Sequence, residues 1–109
     1  MSPTLPQPIA ASMAAANAHD TQALLRTLTV DAVATDEGHA YHGHEEIRAW
    51  SHRTNQAYQA TLAVTEVTQG HEETVVTAQV AGTFDGSPLQ FCSHCTLSGD
   101  TIATVAIRG

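Results

Sequence analysis

The chain has 109 residues, enough for one domain with its own core and too few for two. Apolar residues make up 42% and charged residues 14%, a globular and not a disordered composition. Eleven acids against four basic residues give a net charge of −7, which argues against a nucleic-acid or anionic-membrane surface, and the absence of lysine excludes a Walker phosphate site or a lysine Schiff base.

No run approaches the roughly 20 apolar residues of a membrane span. The opening "MSPTLPQPIAASMAAANAHD" lacks a basic segment followed by a long apolar one, so no signal peptide is expected. Two cysteines in that setting point to a reduced, cytoplasmic location.

Prolines at positions 3, 6 and 8 predict an extended lead-in over residues 1–7, with one domain over 8–109. A first helix is expected from about Pro8 to Ala18, with Ile9, Ser12, Met13 and Ala16 on one face. Asp20 reads as the N-cap of a short second helix that buries Ala23, Leu24 and Leu28. "VDAVATD" is a strand and "EGHAYHG" a turn or hairpin. "HEEIRAWSHRTNQAY" is helical, with Ile47, Trp50, Thr54 and Ala57 sharing a face and acids in its first turn.

From residue 60 the period changes to two. "ATLAVTEVT", "ETVVTAQVAGTF", "PLQFCSHCTL" and "TIATVAIRG" read as strands separated by "QGHE", "DGS" and "SGD" turns. Helices followed by a run of antiparallel strands define an α+β class, with the helices on one face of a curved sheet.

Within "QFCSHCTL", alternation places Leu89, Phe91, Ser93, Cys95 and Leu97 on the inward face and Gln90, Cys92, His94 and Thr96 on the outer one. The two cysteines therefore point apart, about 10 Å from one another along an extended strand, too far for a disulfide. His94 faces away from Cys95, so a Cys–His nucleophile pair is not expected, and inert packing is the simpler role for a buried thiol. His39, His42 and His44 form an H-x-x-H-x-H cluster whose spacing matches no structural zinc signature, and no metal or other cofactor is expected.

"AAANAHDTQALLRTLTVDAVATDEG", "YHGHEEIRAW", "AGTFDGSPLQF" and "LSGDTIATVAI" together resemble the SnoaL-like branch of the nuclear transport factor 2-like superfamily. The resemblance rests on Asp-Ala-x-x-x-Asp at 31–36, Gly-x-x-x-Ile-x-x-Trp at 43–50 and Gly-Asp-x-Ile at 99–102, in that order. It implies a cone-shaped pocket between a bent sheet and the helices, and a homodimer through the outer sheet face. Members include isomerases, dehydratases, cyclases, epoxide hydrolases and non-catalytic binders, so fold alone does not select a reaction.

"LTVDAVATD" is also similar to the ketosteroid isomerase strand that ends in the general-base aspartate, and Asp36 matches that residue. The tyrosine and carboxylic acid that hold the substrate oxygen in those enzymes would fall near Ser12 and Ser93. The expected pocket lining is Ser12, Met13, Trp50, Phe84, Ser93 and Cys95 around a hydrophobic small molecule. Ser12, Ser93 and Cys95 are small where relatives carry bulk, which would enlarge the cavity. Three readings stay open: a proton-transfer enzyme using Asp36, a non-catalytic binding or dimerisation module, and an engineered pocket for a new ligand, metal or reaction.

Overall fold

The computed structural model describes residues 5–109, so the first four residues of the expected lead-in lie outside the described residues. Helix α1 (Gln7–Asn17) begins one residue earlier than expected, with Pro6 at the N-cap and Pro8 in the first turn, where a missing N–H costs nothing. Asp20 does cap α2 (Thr21–Arg26), its Oδ1 accepting from the Ala23 N–H at 3.1 Å. In α3 (Gly43–Tyr58), Glu46 Oε1 accepts from the backbone N–H of the N-cap residue His42 at 2.9 Å. Ile47 and Ser51 are the buried residues of α3, whereas Ala57 is exposed. The Ala57 carbonyl instead accepts from Thr83 Oγ1 at 3.1 Å.

The strands are β1 (Leu28–Asp36), β2 (His39–His42), β3 (Thr61–Gln69), β4 (Thr74–Ala81), β5 (Leu89–Ser98) and β6 (Thr101–Arg108). They form one sheet in the order β2-β1-β6-β5-β4-β3, open at both ends and not a closed barrel. All pairings are antiparallel except β1 with β6, which run parallel. A parallel pair needs a long crossover, and here α3 and the β3–β4–β5 meander supply it.

Between Leu28 and Val33 the β1–β6 register shifts, and Val30 is thrown outward to 84% exposure. Two backbone carbonyls beside this bulge, Leu28 and Thr29, accept from His44 Nε2 at 3.3 and 3.0 Å. After the bulge, Ala32 and Ala34 are buried and in phase with Asp36.

Ile9, Leu25, Leu28, Ile47, Val76, Cys95 and Ile102 form the heart of the core, between the helices and the inner sheet face. The helical layer is tied to the sheet at both margins. Asn17 donates from Nδ2 to the Leu62 carbonyl at 3.0 Å and accepts from the Leu62 N–H at 2.7 Å, imitating a strand partner. At the other margin the Ile102 N–H donates to the Thr27 carbonyl at 2.8 Å. No helix among the described residues is long and apolar enough to cross a membrane.

Both cysteines are free thiols; Cys92 is half-buried on the outer face, while Cys95 is 1% exposed in the core. Burial, with a smaller contribution from Glu73, pushes the Cys95 thiol from 9.0 up to about 11. The folded state thus holds this proton where the unfolded state releases it, so the stabilisation is complete below pH 9.0 and is lost as pH rises towards about 11. Urea titrations should show that decline, and Cys95→Ala should flatten it. An equally steep decline in the variant would show that another group is responsible.

Candidate functional site

Beyond the core, the inner sheet face and the helices enclose a mostly apolar cavity of about 430 Å³. The inner face of β5 runs from one region into the other: Leu89, Phe91 and Ser93 border the cavity, and Cys95 two residues further on belongs to the core. Successive turns of α3 contribute Trp50, Thr54 and Tyr58 at i, i+4 and i+8 spacing, the ridge that faces the sheet. The loop after β4 adds Phe84 and Asp85. It is docked on the C-terminal end of α3, where the Thr83 N–H donates to the Tyr58 carbonyl at 2.8 Å. Gly82 is required at that contact, because a Cβ there would stand 2.5 Å from the Tyr58 carbonyl oxygen. Phe84 then meets Tyr58 edge to face, with ring centroids 5.8 Å apart.

Asp36 ends β1 at the cavity wall. Glu37 and Gly38 follow with φ of 53° and 75°, the paired left-handed conformation of a two-residue hairpin turn, and return the chain into β2. The Trp50 indole Nε1–H donates to Asp36 Oδ2 at 3.1 Å. Trp50 stacks on Tyr41 at 5.8 Å, and the Tyr41 hydroxyl accepts from Arg53 at 2.9 Å. Asp36 therefore receives an indole donor, not an arginine. Among the described residues the one salt-bridge contact is His94 Nδ1 with Glu73 Oε1 at 2.9 Å, on strand β5 and beside β4.

Strand register adds a second relation. Asp36 lies opposite Ile107 across β1–β6, and Ile107 lies opposite Ser93 across β6–β5. The three form one lateral row bordering the cavity, with Asp36 and Ser93 about 10 Å apart by strand spacing.

Of the residues expected to line the pocket, Met13, Trp50, Phe84 and Ser93 border it together with Asp36. Ser12 and Cys95 do not. Ser12 is 8% exposed and turns its hydroxyl back to the Ile9 carbonyl at 2.8 Å, and Cys95 is enclosed by core side chains. The case for a pocket widened by three small residues thus reduces to Ser93 alone. Glu37, Tyr58, Asp85, Phe91 and Ile107 also border the cavity but were not among the expected lining. Phe91 was readable as an inward neighbour of Ser93, and Tyr58 from its spacing to Trp50 and Thr54.

The histidine cluster is dispersed by the fold. His39 packs on Tyr41 at 4.9 Å, His42 stands at the N-cap position of α3 with its imidazole making no cap bond, and His44 covers the β1 bulge. Among the described residues no three His, Cys, Asp or Glu side chains converge as a metal site would need.

An open six-stranded sheet with helices over one face and a cavity between them is the ketosteroid isomerase-like, or NTF2-like, fold. The chain belongs to the SnoaL-like domain family, whose model matches residues 9–105. A candidate polyketide cyclase from Sinorhizobium meliloti is 31% identical with a TM-score of 0.92, the match covering 95% of each chain. A protein of ketosteroid isomerase-like fold from Catenulispora acidiphila, solved in complex with trimethylamine, is 20% identical with a TM-score of 0.85, covering 97% of this chain and 87% of that one. TerC, co-crystallised with polyporic acid, is 18% identical with a TM-score of 0.81 over 92% of this chain and 86% of its own. The latter two likenesses concern the fold alone. No curated protein matches the chain.

The indole bond to Asp36 can be isolated experimentally. Trp50→Phe keeps a ring against Tyr41 but deletes the donor, and should cost about 1.5 kcal/mol in urea unfolding, the lower end for a bond to a charged group. Repeating the substitution in an Asp36→Ala background, which has no acceptor for the indole, should cost less. Equal cost in both backgrounds would show that packing, and not this bond, accounts for the loss.

Proposed function

We propose that the protein binds a hydrophobic small molecule in this cavity and transfers a proton on it, in a reaction of the isomerase, lyase or cyclase type, with Asp36 as the group that carries the proton. The observation behind this reading is the position of Asp36. Its carboxylate borders an apolar cavity, is held through one oxygen by Trp50, and among the described residues has no arginine paired with it. A positioned carboxylate within reach of a substrate C–H is a competent general base. Met13, Trp50 and Phe84 supply apolar walls, and Ser93 offers a hydroxyl about 10 Å across the row from Asp36, at the far end of a bound ring system. The cyclase assignment of the 31% identical Sinorhizobium protein supports the same reaction class.

The test is solvent deuterium incorporation into ketones with acidic C–H groups on a hydrophobic body, with and without an amine substituent, followed by NMR. Asp36→Asn preserves an acceptor for Trp50 and should lower the exchange rate by about 10²–10⁴-fold, the range for a lost general base, with unfolding unchanged. Exchange at the parent rate would sink the assignment.

A non-catalytic binder is the second reading, favoured by the turn of Ser12 away from the cavity, which leaves the first helix without a donor to a substrate oxygen. Under it, ligands bind the parent and Asp36→Asn alike and no exchange occurs. The proposal extends to a homodimer through the outer sheet face, where Thr77, Cys92 and His94 lie, and to a reducing, cytoplasmic setting suited to two free thiols. Light scattering should return twice the 11.5 kDa chain mass, and a monomer value would remove the dimer.

A further inference from the structure

We propose that the ligand of this cavity is an organic nitrogen cation, a positive charge on a hydrophobic body. The proposal rests on the reading above that the cavity is the ligand site, and it adds the sign of the ligand's charge.

Two independent features of the wall agree. The first is the sign of its charges. Asp20, Asp36, Glu37 and Asp85 border the cavity, and among the described residues no arginine or histidine does. Arg26, Arg48, Arg53 and Arg108 are all exposed and lie outside the lining. Asp20 is occupied as the α2 cap and Asp36 holds the Trp50 indole, while Glu37 and Asp85 are exposed at the rim. The chain's net charge of −7 reinforces the negative potential of the cleft.

The second feature is the placement of the aromatic residues. The chain has one Trp, two Tyr and two Phe, and Trp50, Tyr58, Phe84 and Phe91 all border the cavity. The remaining ring, Tyr41, backs Trp50 from behind. Aromatic faces attract a desolvated cation through the ring quadrupole.

Each alternative ligand meets a physical obstacle. An anion would be repelled by every charge on the wall. A neutral apolar body would strip water from the half-buried Asp36 and return nothing for its charge. A cation compensates Asp36 as it enters. It also suits the chemistry: negative charge that develops on the substrate when Asp36 removes a proton meets neutral donors such as the Ser93 hydroxyl but no arginine or histidine among the described wall residues, and the substrate's own positive nitrogen adds to that stabilisation.

Three probes with one hydrophobic body and different charge decide the matter: naphthylmethylammonium, naphthylmethanol and naphthoate, titrated at neutral pH by calorimetry. The ammonium should bind about tenfold more tightly than the alcohol, within the range of a desolvated cation–π contact aided by a carboxylate, and naphthoate the most weakly. The indole N–H resonance of Trp50, the chain's single Trp, should move on binding. Glu37→Gln with Asp85→Asn should shrink the ammonium-to-alcohol ratio severalfold, as should added salt, while leaving the alcohol's affinity unchanged. Equal binding of all three probes, each moving the Trp50 signal, would overturn the charge inference and leave the cavity as the ligand site. Ammonium binding that leaves the Trp50 signal still, or that persists in Ser93→Phe, would place the cation on the surface and overturn it as well. No binding by any probe would overturn both the charge inference and the reading of the cavity on which it rests.

Discussion

The parallel contact between β1 and β6 is the constraint on which the remaining geometry depends. It joins the strand that follows the first two helices to the last strand of the chain, and it alone brings Asp36 into a row with Ile107 and Ser93. Forming it requires the whole intervening chain to close as a loop, so the contact is entropically demanding and becomes favourable only once the meander exists. The Thr27–Ile102 backbone bond sets where the pairing starts. The irregularity that follows shifts the register of β1 against β6 and ejects Val30, while Leu28, Ala32, Ala34 and Asp36 keep one face. Without the bulge nothing would bend the strand at that point.

His44 shows how a residue can be mistaken for a ligand when only its neighbours in sequence are visible. Its imidazole serves the Leu28 and Thr29 carbonyls beside the bulge. His39 and Tyr41, on the short β2 strand, do comparable work on the other side of Asp36. Arg53 holds Tyr41, Tyr41 stacks on Trp50, and Trp50 holds the carboxylate. The candidate base is thus fixed through a row of rings that reaches solvent at an exposed arginine, and among the described residues it has no salt-bridge partner. Such an arrangement orients a carboxylate without cancelling its charge, as a base or a cation receptor requires.

Much of the fold was legible in short-range chemistry. Proline at the start of α1, the Asp20 cap, acids in the first turn of α3 and period-two alternation after residue 60 are all local signals, and each lies where the structure has an element. Alternation also assigned Cys92 and Cys95 to opposite faces. It could not tell core from cavity on the same face. Ser93 and Cys95 are equivalent in pattern, and only the position of the helices above them makes one a wall residue and the other core. Ser12 was misplaced for the same reason: a helix face some 100° wide spans both environments. The parallel β1–β6 pairing left no mark in the sequence, because register between distant strands is set by packing. Glu37 and Asp85 escaped notice because both sit in turns, where side-chain direction follows from loop docking and not from any period.

The division of the inner face into core and cavity also divides stability from chemistry. Ile9, Cys95 and Ile102 fill one end completely, while about 430 Å³ at the other end is left without side-chain atoms. Apolar walls that pack against nothing forgo dispersion contacts, so that end must be held by other means. The Asn17–Leu62 pairing and the docking of the 82–88 loop on α3 are such means: hydrogen bonds at the perimeter that hold the walls apart without filling the space. A ligand that enters completes the packing the chain omits, and its binding energy adds to the stability of the folded state in proportion to the logarithm of its concentration. Substitutions on this wall therefore trade one quantity against the other. Adding bulk at Ser93 would extend the core towards the rim at the expense of the space between Asp36 and the opposite strand, where any reaction would have to occur.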